Sequence, residues 1–249
     1  MKLVPLFLPL LLLATPAPGQ TPTQQPEPPM RDQACTPDSA THYDPAADWP
    51  WLCRYHAANQ ALPGGRADIV FIGDSITEFW GQADPALFTG GIVNRGISGQ
   101  TSPQLLLRFM ADVVALKPRL VHLMVGTNDI AGNTGPTTPE AWRNNIRAMV
   151  ALAKANGIKV VLGAIPPADR MNWRPGLAPA ARIAELNQWL RTFAAEQGQT
   201  FADYHTAMAT PAGAMRGEFT QDGVHPGKAG YAAMEPVLRA ALGEALGRQ

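Results

Sequence analysis

Short apolar runs rich in β-branched residues alternate with longer segments of helical periodicity from residue 68 onward. This alternation predicts a parallel sheet with helices packed against both of its faces. The chain of 249 residues is long enough for one such domain to bury a core. We therefore expect an α/β fold in a single domain, a three-layer α/β/α sandwich with a central parallel sheet of about five strands. The predicted strands span residues 68–72, 91–94, 119–125, 158–165 and 200–202, and the predicted helices span residues 103–116, 139–156, 179–197 and 227–246.

Two side-chain placements inside these elements follow from the same pattern. His122 lies in the apolar strand 119–125, so we expect a core histidine there and not a metal ligand. In helix 103–116 the apolar residues recur at the spacing of a single buried face. That face is predicted to contain Leu106, Phe109, Met110, Val113 and Val114.

The N-terminal residues have the features of a targeting segment. Lys2 precedes an apolar run over residues 3–14, and the small residues Ala17 and Gly19 follow it. The run is short for a helix that spans a bilayer. It predicts a cleavable signal peptide over residues 1–19, with a retained membrane anchor as the alternative. The expected localisation is therefore exported, either periplasmic or secreted, with no stable membrane anchor after cleavage.

The Pro-rich segment 20–41 is predicted to be a tether, because it has almost no large apolar side chains to bury. The folded domain is then expected over residues 42–249. Cys35 and Cys53 are the two cysteines of the chain, and an oxidising compartment favours a disulfide between them. Such a bond is worth on the order of 3 kcal/mol and would pin an aromatic strap over residues 42–62. The strap contains Trp49, Trp51 and Tyr55.

The charge balance excludes some classes of partner. Lys plus Arg and Asp plus Glu each number 20, which gives a formal net charge of zero. A strongly basic surface for nucleic acid is therefore not indicated, nor is a polybasic membrane patch. We expect a monomer that binds no nucleic acid.

Four short, widely separated segments contain the groups that ester cleavage needs. They supply a serine, a histidine with a carboxylate three residues before it, a glycine backbone N–H and an asparagine amide. Three of the segments follow predicted strands, at the sheet edge where ligands bind in such folds. The segments are 73–76 (GDSI), 94–99 (NRGISG), 126–129 (GTND) and 222–226 (DGVHP).

These segments resemble those of the SGNH hydrolases, also called GDSL esterases and lipases, over roughly residues 68–240. The resemblance implies a flavodoxin-like three-layer α/β/α fold and the hydrolysis of esters through a serine. Ile76 stands where leucine is usual in the naming motif, at a position that should only pack. The segment around Ser75 also lacks the second glycine of a nucleophile elbow, which argues against the α/β-hydrolase fold. Neither a cofactor nor a metal is needed for this chemistry.

The resemblance implies a role for each catalytic group. Ser75 would be the nucleophile, His225 the general base and Asp222 the residue that orients the histidine. From the residues alone, Ser75 is also a candidate helix N-cap, and Asp222 with Gly223 also predicts a turn.

Three donors are implied for the oxyanion that forms during ester cleavage. They are the backbone N–H groups of Ser75 and Gly99 and the side-chain amide of Asn128. Gly96 is the alternative to Gly99. Both glycines also fit turns that require a positive φ, and Asn128 also fits a loop asparagine bound to its own backbone.

The same segments resemble those of exported acetylesterases that act on decorated carbohydrates, and those of platelet-activating-factor acetylhydrolases. The implied function is an exported serine esterase that hydrolyses short-chain esters, acetyl esters of carbohydrates above all, through an acyl-enzyme on Ser75. Trp80, Trp142 and Trp173 are candidate stacking faces for a glycan or small-molecule ester, and a partly buried packing residue is the favoured alternative for any one of them. Trp173, on a long loop, is the substrate-binding candidate. A lipid-directed esterase, such as a lysophospholipase or thioesterase, is the alternative. A non-catalytic carbohydrate-binding protein is a more distant one.

Overall fold

A five-stranded parallel sheet forms the centre of the computed structural model, which describes residues 35–247. The strands are β1 (Ile69–Gly73), β2 (Ile92–Gly96), β3 (Leu120–Met124), β4 (Lys159–Gly163) and β5 (Thr200–Ala202). Their order across the sheet is β2-β1-β3-β4-β5, and all neighbours are parallel. The inner strands β1 and β3 are buried along their whole length, as expected for a sheet that helices cover on both faces.

Helices cover the sheet on both faces and complete three layers. They are α1 (Pro37–Thr41), α2 (His56–Gln60), α3 (Ser75–Ala83), α4 (Ser102–Asp112), α5 (Thr127–Ala131), α6 (Pro139–Ala155), α7 (Ala180–Gln197), α8 (Tyr204–Met208) and α9 (Lys228–Gly247). One apolar core joins the sheet to α4, α6 and α7, and a second joins it to α3, α8 and α9. The predicted α/β/α sandwich is therefore confirmed, and the ends of its long elements lie within four residues of the predicted ones.

The buried face predicted for helix 103–116 is confirmed except at Met110. Phe109 and Val113 are buried and Leu106 and Val114 pack against the core, but Met110 is 51% exposed. Arg108 faces the sheet instead, where its guanidinium donates to the carbonyl of Gly73 at 3.0 Å and pairs with Asp112 at 3.0 Å. This inward arginine turns the helix so that a polar stripe faces β1 and Met110 points outward. The polar residues of that stripe are Gln104, Arg108 and Asp112.

His122 is a core residue, as predicted. Its ring stacks on Phe71 at 4.6 Å, and its Nε2 lies 2.8 Å from the hydroxyl of Tyr204. Burial lowers the pKa of His122 to about 3, so the ring is neutral at physiological pH.

A disulfide between Cys35 and Cys53 closes residues 35–53 into a loop, which includes the first part of the strap over residues 42–62. Helix α1 lies within the residues predicted to form the tether. The predicted signal peptide 1–19 and residues 20–34 of the tether fall outside the described residues. Between residues 35 and 247, no helix combines the length and the hydropathy needed to cross a bilayer.

Candidate active site

Ser75 lies at the carboxyl end of β1, where the strand turns into α3. The carboxylate of Asp74 caps the helix by accepting the N–H of Ile76 at 3.0 Å, and Ser75 is the first helical residue. Gly73 is required by the tight turn, because a Cβ there would lie 2.1 Å from Oγ1 of Thr77. The serine side chain thus occupies a fixed position at the edge of the sheet, at the positive end of a helix dipole.

The structure brings His225 and Asp222 to this serine. Oγ of Ser75 lies 3.0 Å from Nε2 of His225, and Nδ1 of His225 lies 2.7 Å from Oδ2 of Asp222. The other carboxylate oxygen of Asp222 accepts the N–H groups of Val224 at 2.9 Å and of His225 at 2.8 Å. Asp222 therefore fixes both the loop that carries the histidine and the direction of its ring.

The low pKa of Asp222 indicates that the proton between Asp222 and His225 lies on Nδ1 of the histidine. Partial burial alone would raise that pKa, but the hydrogen bonds from the His225 ring and from two backbone N–H groups outweigh it and lower the value to about 2. The carboxylate is ionised and accepts a hydrogen bond from Nδ1–H of His225, and this bond favours the tautomer whose lone pair lies on Nε2. That lone pair is placed to take the proton of the Ser75 hydroxyl.

The loop after β2 carries Gly99. Ile97 ties the loop to the end of β1, because its N–H donates to the carbonyl of Gly73 at 3.1 Å. Gly99 has φ +79° and is exposed, and no hydrogen bond of the described chain uses its N–H. The N–H of Ser75 has no intrahelical acceptor either, because Ser75 begins α3. Both backbone donors are available to an oxyanion.

Gly96, the alternative donor, is occupied. Its N–H donates to Oδ1 of Asn94 at 2.8 Å. A Cβ on Gly96 would lie 2.2 Å from the backbone nitrogen of Glu78, so glycine is required there by the close approach of β2 to α3. The structure thus favours Gly99 over Gly96 as the loop donor.

Asn128 is the second residue of α5, and its side-chain amide bonds to the same loop. Nδ2 donates to the carbonyl of Gln100 at 3.0 Å, and Oδ1 accepts from Nδ2 of Asn133 at 2.7 Å. These two contacts assign the orientation of the amide and leave one N–H of Nδ2 unused. That remaining donor lies beside the loop that carries Gly99.

A buried polar network supports this loop, and the sequence analysis missed it. Nε of Arg108 donates to Oε1 of Gln100 at 2.6 Å, while its Nη2 holds the carbonyl of Gly73. The arginine thereby joins the end of β1 to the residue that anchors Asn128. Its spacing of four residues from Asp112 is the available signal, since such pairs meet on one helix face. The apolar neighbours of Arg108 in α4 obscured that signal.

Two buried aspartates hold the loops around the site. Asp74 caps α3, and Asp129 accepts both the N–H of Ser102 at 3.0 Å and its hydroxyl at 2.5 Å. Burial is the main cause of their raised pKa values, which reach about 7 for Asp74 and about 6 for Asp129. Neither carboxylate contacts the Ser75 hydroxyl.

Of the three tryptophans proposed as stacking faces, only Trp173 is at the site. It is 40% exposed, its ring centroid lies 6.2 Å from that of His225, and its Nε1 donates to Asn133 at 3.1 Å. Trp80 and Trp142 are wrong as stacking faces, since both are about 1% exposed and pack within the two cores. Among the residues from 35 to 247, no three His, Cys, Asp or Glu side chains are grouped as a metal site.

Comparisons with known proteins show the family of the chain. The profile of the GDSL-like Lipase/Acylhydrolase family matches residues 71–233, which include all of the site residues. The crystal structure of a GDSL-like lipase from Bacteroides thetaiotaomicron is 39% identical, with a TM-score of 0.76 over 79% of this chain and 99% of that one.

Two curated proteins are similar over shorter stretches. The esterase TesA of Pseudomonas aeruginosa is 31% identical over 54% of this chain and 61% of its own length. An acetylxylan esterase of Geobacillus stearothermophilus is 37% identical over 27% of this chain and 42% of its own length. The chain thus matches less than two thirds of either curated relative.

Proposed function

The chain belongs to the GDSL-like lipase/acylhydrolase family and is a serine ester hydrolase. We propose that Ser75, His225 and Asp222 are its catalytic residues. The observation that carries this proposal is the continuous chain of contacts from Ser75 Oγ through His225 to Asp222, at 3.0 Å and 2.7 Å. Such a chain supplies a nucleophile, a general base and a group that orients the base.

The reaction proceeds in two halves. Ser75 Oγ attacks the ester carbonyl carbon while its proton passes to Nε2 of His225. The tetrahedral intermediate then breaks its bond to the alcohol oxygen, which takes the proton from Nε2 and leaves. Water attacks the resulting acyl-serine, gives a proton to Nε2 and forms a second intermediate. Cleavage of the bond to Oγ returns that proton to Ser75 and releases the carboxylic acid.

We assign the oxyanion of both intermediates to the N–H groups of Ser75 and Gly99 and to Nδ2 of Asn128. The positive φ of Gly99 leaves its N–H free of internal partners, and the Gln100 carbonyl holds the Asn128 amide in a fixed direction. Donors that are fixed before the reaction stabilise developing charge without reorganisation.

Replacement of Asn128 by Ala should lower kcat by about 10²–10³ with a much smaller change in KM, because the donor acts on the intermediate more than on bound ester. Steady-state kinetics on p-nitrophenyl acetate measure both values. Asn156→Ala is the matched control, since Asn156 ends α6 and bonds only to that helix. Equal losses in the two variants would refute the assignment of Asn128.

We propose that the acyl group is short, acetyl above all, and that the alcohol is a carbohydrate or a similar polyol. The likeness to an acetylxylan esterase supports an acetyl ester. Trp173 supports a sugar, because an exposed indole beside the histidine offers a flat apolar face to a ring. A lipid-directed activity would require long acyl chains to be the better substrates.

A series of p-nitrophenyl esters from acetate to dodecanoate tests this function. We expect kcat/KM to be highest for acyl groups of two to four carbons and to fall steadily beyond them. The Ser75→Ala variant, assayed in parallel, measures hydrolysis that does not depend on the site. A preference for decanoate or dodecanoate would move the function to lipids, and no serine-dependent turnover of any ester would refute it.

We further propose that the domain acts outside the cytoplasm as a monomer. The disulfide between Cys35 and Cys53 supports export, because such bonds persist in oxidising compartments. The predicted signal peptide over residues 1–19, the tether over residues 20–41 and the domain boundary at residue 42 belong to the same proposal.

A further inference from the structure

A cavity of about 380 Å³ opens beside the proposed oxyanion donor Gly99 and extends to the strap. Tyr43 and Trp51 of the strap contribute to its wall, and so does Trp173 from the loop after β4. The Trp173 ring also lies 6.2 Å from that of His225, so one wall of the cavity is next to the proposed general base. The alcohol portion of an ester held at Ser75 would have this space next to it.

The lining of the cavity matches a neutral sugar ring. Flat aromatic faces pack against the C–H face of a pyranose, and amide or hydroxyl side chains exchange hydrogen bonds with its hydroxyl groups. Ile97 is the one aliphatic residue among the described residues of the lining, and none of them carries a formal charge. A long acyl chain would need aliphatic walls, and an anionic headgroup would need a cation. The polar side chains are those of Ser98, Gln100, Gln104, Asn133 and Thr134.

The strap holds its aromatic residues rigidly although they face solvent. Tyr43 is 41% exposed, yet it stacks on Trp51 at 4.9 Å, donates to the carbonyl of Trp49 at 2.7 Å and accepts from Gln104 at 2.9 Å. Trp51 donates from Nε1 to the carbonyl of Ser39 at 2.8 Å. A ring fixed in this way loses little conformational entropy when a ligand binds.

Backbone strain at Trp51 also indicates a ligand site. Its φ is +54°, a left-handed conformation that costs a bulky residue about 1–2 kcal/mol. Strained residues persist where the surrounding structure fixes them, and they are common at ligand sites. Here the disulfide and the contacts of the indole fix the conformation.

The strap is also bonded to the loop that carries Gly99. Gln100 donates from Nε2 to the carbonyl of Pro50 at 2.8 Å, and the Tyr55 hydroxyl donates to the carbonyl of Gly96. Arg54 pairs with Glu78 at 3.1 Å, and Glu78 accepts the N–H of Ser98 at 2.8 Å. The aromatic wall and the oxyanion loop therefore have fixed positions relative to each other.

From these observations we propose that the strap is a carbohydrate subsite, in which Tyr43 and Trp51 on one side and Trp173 on the other hold a neutral pyranose ring whose ester is cleaved at Ser75. The inference rests on the proposed esterase function and assigns a binding site to the alcohol portion of the ester substrate. The subsite selects ring-shaped alcohols over acyclic ones that carry the same acyl group.

Two acetyl esters that differ in this respect test the subsite: glucose pentaacetate, which has a pyranose ring, and glycerol triacetate, which has none. Acetate release gives kcat/KM for each, and the ratio of the two values is compared between variants. Tyr43→Leu should lower that ratio about tenfold, the loss expected for one stacked ring. Tyr43→Phe keeps the ring and should stay within about twofold of the wild type, because it loses only the hydroxyl contacts.

Leu52→Ala is the matched control, since Leu52 is an exposed strap residue outside the cavity lining. Its ratio should be that of the wild type. An unchanged ratio in Tyr43→Leu would overturn the subsite, and so would an equal loss on both esters, which would make the strap a scaffold only. A larger loss on p-nitrophenyl octanoate than on glucose pentaacetate would assign the cavity to acyl chains and overturn it as well. If the wild type cleaves no ester in a Ser75-dependent way, the proposed function falls together with the subsite.

Discussion

Replacing Ser75 by Ala should lower kcat on p-nitrophenyl acetate by a factor on the order of 10⁴ or more and leave the unfolding transition nearly unchanged. The hydroxyl meets Nε2 of His225 at 3.0 Å, whereas the helix cap is supplied by the neighbouring Asp74. Alanine therefore removes the nucleophile and keeps both the turn and the packing of α3. Steady-state rates and a thermal unfolding scan of the same preparation measure the two effects.

Ser39→Ala is the matched control for this substitution. Ser39 lies in α1 and bonds to Thr36, so its loss affects one exposed helix end and no residue of the site. The double variant Ser75→Ala with His225→Ala should be no slower than Ser75→Ala alone, because a base without its nucleophile contributes little. Full activity in purified Ser75→Ala would refute the mechanism.

Asp222→Asn should lower kcat by about 10³–10⁴, although the substitution is nearly isosteric. One oxygen of Asp222 holds the backbone N–H groups of Val224 and His225, and asparagine retains an oxygen for that task. What it loses is the negative charge opposite Nδ1 of His225. Without that charge the imidazolium formed in catalysis is less stable, and the ring can turn or take the wrong tautomer.

Comparing Asp222→Asn with Asp222→Ala separates two roles for this residue. If Asp222 serves only to build the loop, asparagine should be close to the wild type and alanine should be impaired. If the carboxylate stabilises the charged ring, both variants should be impaired to a similar degree. Asp38→Asn is a matched control, because Asp38 also lies 2.7 Å from a histidine, His42, which is exposed and whose ring contacts Thr41 and not a serine.

The sheet could be predicted because its signals are local. β1 and β3 are short β-branched runs that end at glycine or a turn, and burial on both faces requires such runs. The strand ends then placed Ser75, Gly99 and Asn128 on one edge without further information. The positions of Asp222 and His225 relative to that edge came from the motif resemblance, since no local rule brings the last loop back to the first strand.

Arg108 and Met110 show where local rules fail. Periodicity predicted an apolar face for α4 that includes Met110. Arg108 is buried instead, and its guanidinium binds the carbonyl of Gly73 and the side chains of Gln100 and Asp112. These charge-assisted hydrogen bonds stabilise the fold more than the burial of Met110 would. The partners of Arg108 come from three different parts of the chain. Such a network exists only after the fold has brought them together.

The local sequence also does not predict which of the three tryptophans is exposed at the surface. Trp80 and Trp142 lie on helices that pack against the sheet, so their large apolar area is buried in the cores. Trp173 lies on a loop and stays exposed beside His225. The strap residues Tyr43 and Trp51 gave no signal as site residues, because only the folded strap places them beside Gly99.

The contact between Ser75 and His225 joins residues that are 150 positions apart. When all five strands of the sheet have been synthesised, His225 has not, so Ser75 still lacks the proposed base. If Ser75 and His225 act together as we propose, the growing chain has no complete hydrolytic site until the loop with His225 has folded against the end of β1.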